Sequence, residues 1–135
     1  SYPMSITYTS TEATFDNTFS SQFWGEIKSG MDIPDLPDSQ IAVRGGFLSN
    51  QGWSGDVTLY SYGNTCSVAD CSLGTEIESY TVIDLSLSKQ LNKKIDFYMN
   101  VENIIDAKDI VARAPKNGAR AQKPRTLVLG FRLKI

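Results

Sequence analysis

The sequence predicts an all-β fold: an up-and-down antiparallel transmembrane β-barrel segment. Three observations predict it. The stretch 124–135, PRTLVLGFRLKI, sets Leu127, Leu129, Phe131, Leu133 and Ile135 at alternate positions. Thr126, Gly130, Arg132 and Lys134 stand between them, with Val128 the exception. This period of two makes a strand with one apolar and one wet face, at about the length of a membrane-crossing strand. Second, the connections between such segments alternate long, short, long, short, long, the pattern of long extracellular loops and short periplasmic turns. Third, the charges well inside the strand windows (Arg44, Asp56, Asp84, Asp96, Glu102, Arg132 and Lys134) all fall on the polar parity.

The first window, 3–15 (PMSITYTSTEATF), sets Met4, Ile6 and Tyr8 against Ser5, Thr7 and Thr9. Pro3 opens it, where a strand residue need not donate to the ladder. A long polar stretch ends in IPDLPD, whose Pro34 and Pro37 stop any helix or central strand. The second window, 40–48, opposes Ile41, Val43 and Phe47 to Gln40, Ala42, Arg44 and Gly46, and the link 49–52 is a turn of Ser, Asn, Gln and Gly. In the third, 53–62, Trp53, Val57 and Leu59 face away from Ser54, Asp56, Thr58 and Tyr60. A second long loop, 63–79, holds both cysteines. The fourth window, 80–90, presents Ile83, Leu85 and Leu87 opposite Asp84, Ser86 and Ser88, and the turn 91–94 follows. The fifth, 95–103, presents Ile95, Phe97, Met99 and Val101 opposite Asp96, Tyr98, Asn100 and Glu102. A third long loop, 104–123, leads into the final strand. In a barrel the apolar parity, from Ile41 and Val43 through Val57, Leu59, Ile83, Leu85, Leu87, Phe97, Met99 and Val101 to Leu129, Phe131 and Leu133, faces lipid. Lys89 and Arg125 break parity only at strand ends, where a headgroup receives them.

Hydrophobic residues make up 41% of the 135, and no apolar run approaches the roughly 18 residues of a membrane helix. The chain opens SYPMSITYTS, without a basic or apolar leader. Six strands are fewer than the eight of the smallest barrel of this type, so the expectation is one incomplete domain, 1–135, cut from a larger barrel. Net charge is −2, unevenly spread: residues 1–88 hold two bases against eleven acids, and residues 89–135 eleven bases against four acids. Such asymmetry marks either an anionic partner or pairing between acidic and basic loops.

From Tyr80 onward the sequence resembles the C-terminal end of a TonB-dependent outer-membrane receptor, in the branch similar to ferric-citrate receptors. Three pieces carry the resemblance: Asn100-Val101-Glu102-Asn103-Ile104-Ile105-Asp106, the Gly118-Ala119-Arg120 loop, and Pro124-Arg125-Thr126 opening the last strand. Upstream, GEIKSGMDIPDLPDSQ resembles the family's loop-to-strand passage with paired prolines, and YTSTEATF the strand before it. Two positions depart from the pattern: Ile135 stands where the family usually ends on an aromatic, and Asp38 where it often has His. The resemblance implies about the last six strands of a 22-stranded barrel in the bacterial outer membrane. It also implies an N-terminal plug and a TonB-contacting segment, neither of which is in this stretch. The implied activity is binding and import of a ferric chelate, ferric citrate or a siderophore. The implied partners are that chelate, outer-membrane lipid and the TonB complex, with no nucleic acid.

Nothing points to an enzyme or a resident cofactor. The chain has no His, the commonest general base and metal ligand, and no phosphate loop or nucleophile elbow. Asp84 and Asp96 are expected to meet basic groups across the lumen. Cys66 and Cys71, in a polar loop, read as a disulfide in an oxidising compartment; two thiols alone are too few for a metal centre. Trp53, beside a short turn, suits the periplasmic aromatic girdle. Phe19, Phe23 and Trp24 are expected to pack the first long loop on itself. In the third loop Arg113, Lys116, Arg120 and Lys123 are candidate ligand-binding residues, with Arg113 and Arg120 favoured because a guanidinium grips carboxylates bidentately. The same cluster also suits lipid phosphates, or the acids Glu26, Asp32, Asp35 and Asp38 of the first loop. Two other function classes fit the strand pattern: a secreted soluble β-sandwich binding module, and a small structural outer-membrane barrel without transport.

Overall fold

The computed structural model describes residues 1–22, 24–72, 74–113 and 118–134. The described chain is all strand and turn. In order it forms β1 (Met4–Ser10), β2 (Phe19–Ser21), β3 (Gly25–Ile27), β4 (Ser39–Leu48), β5 (Trp53–Tyr62) and β6 (Thr65–Cys66). Then follow β7 (Glu76–Ile77), β8 (Tyr80–Gln90), β9 (Ile95–Glu102), β10 (Ile110–Ala112), β11 (Arg120–Ala121) and β12 (Thr126–Leu133). The six longer strands make one sheet, β1-β4-β5-β8-β9-β12, every neighbour antiparallel. This is the up-and-down meander that the alternation of long and short connections predicts.

The register holds the two parities apart across the whole sheet. One row runs Gly45, Val57, Leu85, Val101, Leu127, and the next Leu87, Met99, Leu129. Phe97 faces Phe131 with ring centroids 5.6 Å apart, a cross-strand aromatic pair. At Gly55 the Phe47 ring and Leu87 crowd the space a Cβ would occupy, so the apolar surface continues over the glycine. No described residue covers this face: Leu129 is 56% and Phe131 67% exposed. Among the described residues the buried apolar side chains (Ile27, Pro34, Val68, Ala69 and Ile77) all lie in the loops. At the short-turn end Trp53 sits beside Lys89, whose Nζ lies 4.9 Å from the indole centroid and donates to the Gln51 carbonyl at 2.5 Å.

The opposite face is wet. A trough of about 750 Å³ runs along it, lined among others by Arg44, Asp56, Ser86, Tyr98, Asn100 and Arg132. Arg44 donates to Asp56 at 2.9 Å and Lys134 lies 2.8 Å from Asp96, both pairs joining neighbouring strands. Asp84 and Asp96, expected to meet bases across the lumen, have partners on their own wall. Asp96 pairs with the adjacent strand's continuation, and Asp84 accepts the backbone N–H of Asn103 at 2.9 Å. The Tyr98 ring lies over Gly130, where a side chain would overlap it.

Boundaries shift for local reasons. The first window, expected to reach Phe15, pairs with β4 only as far as Ser10 opposite Ser39. Thr11 N–H still donates to Asp38, but the N–H groups of Asp38 and Asp35 turn to the Asn64 and Cys66 carbonyls of the second loop, which ends the ladder. The chain stays extended but turns to its own loop: Thr14 bridges Asp32, Ile33 N–H donates to Ala13 and Phe15 N–H to Met31. β9 stops at Glu102 because Asn103 takes φ 52°, incompatible with a strand. The long connections are not irregular throughout, since each carries a short hairpin: β2–β3, β6–β7 and β10–β11. The strand end expected at Ile135 lies outside the described residues, as does Phe23.

Candidate functional site

Up-and-down order sends the three long loops off the same end of the sheet, and hydrogen bonds tie them together. Asp35 N–H donates to the Cys66 carbonyl at 2.8 Å, and the Thr65 hydroxyl to Leu36 at 3.0 Å, joining the first loop to the second. Arg113 Nε donates to the Glu76 carbonyl at 2.8 Å, joining the third loop to the second. A hollow of about 320 Å³ where all three meet is lined by Asp35 and Pro37, Thr65 and Ile77, and Val111 and Ala112. Asp35 adopts φ 59°, and partial withdrawal of its carboxyl from water raises it above the ordinary 3.8.

Cys66 and Cys71 are disulfide-bonded, with Cα atoms 5.3 Å apart. The bridge closes the turn beyond β6, where Val68 and Ala69 are buried and Ser67 N–H donates to Thr75. The first loop packs on itself as expected, Phe15 standing 5.6 Å from Phe19 and 5.9 Å from Trp24 by ring centroids.

The third loop is anchored by Asn103, which is 2% exposed. Its Nδ2 donates to the carbonyls of Ala107 at 3.0 Å and Lys123 at 2.9 Å, while its Oδ1 accepts from Ala107 N–H at 3.0 Å. Every polar atom of this buried carboxamide is thus used, and its left-handed backbone is one that Asn tolerates better than most residues. Asp106, at φ 54°, extends the knot by accepting Arg125 N–H at 3.2 Å.

The four sequence-predicted basic residues meet different fates. Arg113 is half-buried and occupied by the Glu76 carbonyl. Lys123 is paired with the Glu102 carboxylate. Arg120 is exposed in β11, its side chain without a partner among the described residues. Lys116 lies outside the described residues. No ion pair joins this loop's described bases to Glu26, Asp32, Asp35 or Asp38; the ion pairs among the described residues are Arg44–Asp56, Lys123–Glu102 and Lys134–Asp96.

A second feature at this end escaped the sequence. Tyr62 and Tyr80 face each other across β5 and β8 and stack at 4.8 Å between centroids, 24° from parallel. Beside them lies a cleft of about 270 Å³, also lined by Val82, Val111, Gln122 and Lys123. Gln122 is 8% exposed, yet neither its Oε1 nor its Nε2 has a partner among the described residues. An unpaired buried amide costs on the order of 1–3 kcal/mol, in contrast to the fully bonded Asn103 next to it. The tyrosine pair becomes legible only once strand register is known; Gln122 carries no sequence signal at all.

The fold matches solved structures of receptors. The siderophore receptor PiuA from Acinetobacter baumannii superposes with a TM-score of 0.81 at 14% identity, covering 98% of this chain and 19% of that one. The ferric-catecholate import receptor Fiu from E. coli K12 superposes in its closed form with a TM-score of 0.75 at 23% identity, over 98% of this chain and 18% of that one. Its open form gives 0.63 at 24% identity, over 73% and 15%. The chain therefore spans less than a fifth of the length of the structures it matches. No family model and no curated protein matches its sequence. At these identities the likeness shows the fold, a wall segment of an up-and-down β-barrel.

Proposed function

We propose that the chain is the C-terminal wall, about six strands of 22, of a TonB-dependent receptor that binds and imports a ferric chelate across the bacterial outer membrane. The observation that carries this reading is the pairing of an uncovered apolar face with a wet one, in continuous register over six strands. In water the apolar rows would stay exposed; lipid gives them a solvent at no further cost in structure. The sandwich alternative needs a second sheet over those rows, and the buried apolar side chains lie instead in the loops. The small-barrel alternative does not account for a match to wall segments of much larger receptors over nearly the whole chain.

Three loops tied at one end form part of a mouth through which a chelate enters. Arg113, Arg120 and Lys123 give that mouth a cationic rim suited to an anionic chelate, and among them Arg120 is the one whose side chain is uncommitted. The sequence pattern favours ferric citrate, while the superposed receptors are named for siderophore and ferric-catecholate import. Plug and TonB-contacting segment belong to other parts of the whole protein. A strain lacking that protein should lose uptake of radiolabelled ferric citrate or of a ferric catecholate, and regain it on complementation. Unchanged uptake of both overturns the receptor reading.

A further inference from the structure

We propose that the short-turn end of the wall holds the phosphate of an anionic phospholipid, with Lys89, Lys93 and Lys94 as its cationic contacts. Strand register builds the site. Lys89 continues the apolar parity of Leu85 and Leu87 on β8, and it stands in a cross-strand row between Trp53 and Phe97, with Phe131 beyond. Its ammonium lies on the indole and donates to the Gln51 carbonyl, which fixes it against the turn 49–52. That bond uses one of the three donors of an ammonium. Lys93 and Lys94 stand exposed in the neighbouring turn, their side chains without a partner among the described residues.

Between the two turns lies an open hollow of about 490 Å³, lined by Ser49, Asn50, Gln51, Gln90, Asn92 and Lys93. Asn92 Oδ1 is taken by the N–H groups of Lys94 and Ile95, so the free end of that amide is its donor. Residues 47–55 and 85–95 contain no acid. Asp96, next along the chain, has the wet parity and holds Lys134 at 2.8 Å. A zwitterionic headgroup brings an ammonium for which this patch offers no carboxylate. A headgroup of net negative charge meets only complementary groups. The site thus selects by headgroup charge, which an apolar wall alone does not.

The tails decide between a lipid and a free phosphate. Phe97 and Phe131 stand in the row of Lys89, and Leu87 and Leu129 in the row above it, on the same uncovered face. Acyl chains cover such rows, whereas a free phosphate or an acidic protein segment leaves them bare. On the outer-membrane receptor reading, on which this assignment rests, the short turns lie on the periplasmic side. Three of the eleven bases of residues 89–135 then serve the lipid beneath the barrel rather than its mouth.

The test titrates the full-length protein, in an uncharged detergent, with phosphatidylglycerol or with phosphatidylcholine of the same acyl chains. Native mass spectrometry counts the lipid retained. Phosphatidylglycerol should bind about tenfold more tightly, and glycerol phosphate, which lacks the tails, should not displace it at equal concentration. Lys89→Gln, and separately Lys93→Gln with Lys94→Gln, should each weaken phosphatidylglycerol by about fivefold or more; Lys89→Arg should retain it. Where Lys89→Gln fails to assemble, the exposed turn variant still decides. Equal retention of the two lipids overturns the site, as does phosphatidylglycerol binding unchanged in the turn variant. Displacement by glycerol phosphate at equal concentration overturns the phospholipid as occupant. Iron uptake is scored separately. A barrel that imports neither chelate but selects phosphatidylglycerol through these lysines keeps the site and loses the chelate reading; one that imports a chelate without selecting lipid loses the site alone.

Discussion

Asn103 Nδ2 donates to the carbonyl of Lys123, twenty residues along the chain, at 2.9 Å. One side chain at the end of β9 thereby holds the returning limb of the third loop just before β12 begins. Asn103→Ala removes three hydrogen bonds and puts a Cβ-bearing residue with no polar side chain at φ 52°. The cost should be on the order of 2–4 kcal/mol. Asn103→Gly loses the same bonds but not the backbone preference, and should cost about 1 kcal/mol less. Urea unfolding of the full-length barrel in lipid vesicles measures both; equal costs would remove the backbone from the explanation.

Leu85 and Ser86 are adjacent on β8 and point to opposite faces. Arginine at Leu85, near mid-bilayer, should cost about 2–4 kcal/mol of barrel stability. At Ser86, on the trough, it should cost much less. The comparison is internal to one strand, so differences in expression or micelle cancel. Equal penalties would reverse or abolish the assignment of lipid and lumen faces.

The Cys66–Cys71 bridge spans five residues, and so short a ring constrains the unfolded chain by only on the order of 2 kcal/mol. Maleimide labelling of intact cells should modify neither cysteine until a reductant is added. Replacing both with Ser should make the second loop more sensitive to protease while the sheet keeps its resistance to heat in detergent. A sheet that melts with the loop would give the bridge a larger part than the geometry allows.

Arg113 and Arg120 separate two roles within the rim. Arg113→Gln loses the link to the Glu76 carbonyl and should loosen the second and third loops from each other, seen as faster amide exchange around Ile77 and Val111. Arg120→Gln should leave those loops in place and slow capture of an anionic ferric chelate, most visibly at low salt. Capture rates independent of both substitutions and of salt would leave the rim with a structural part only.

The six strands, their order and both faces could be read from alternation alone, because a period of two needs only neighbouring residues to declare itself. Boundaries were readable to within a residue or two wherever a turn former intervened, as at Gly52 and Asn92. The first strand was over-extended because residues 13–15 do remain extended, and a change of pairing partner leaves no mark in local sequence. The short hairpins and the Asn103 knot depend on contacts between residues far apart in the chain. The same is true of the Tyr62–Tyr80 stack and of the empty hydrogen-bonding capacity of Gln122. The basic third loop was visible as composition; which of its cations were already engaged was not.

Trp53 and Lys89 mark one end of a ruler. β5 runs ten residues from Trp53 to Tyr62, about 30 Å along its own axis. Leaning by about 35–45°, as barrel strands do, it rises about 23 Å. If the indole and the ammonium stand at the lower waterline, Tyr62, and with it the tyrosine stack, comes out at the upper one. On the receptor reading proposed above, that rise suits a hydrocarbon layer thinner than the average bilayer, such as that of the bacterial outer membrane. In a thicker membrane the loops would be drawn down towards the headgroups, and the depth of the mouth would change with the lipid around it.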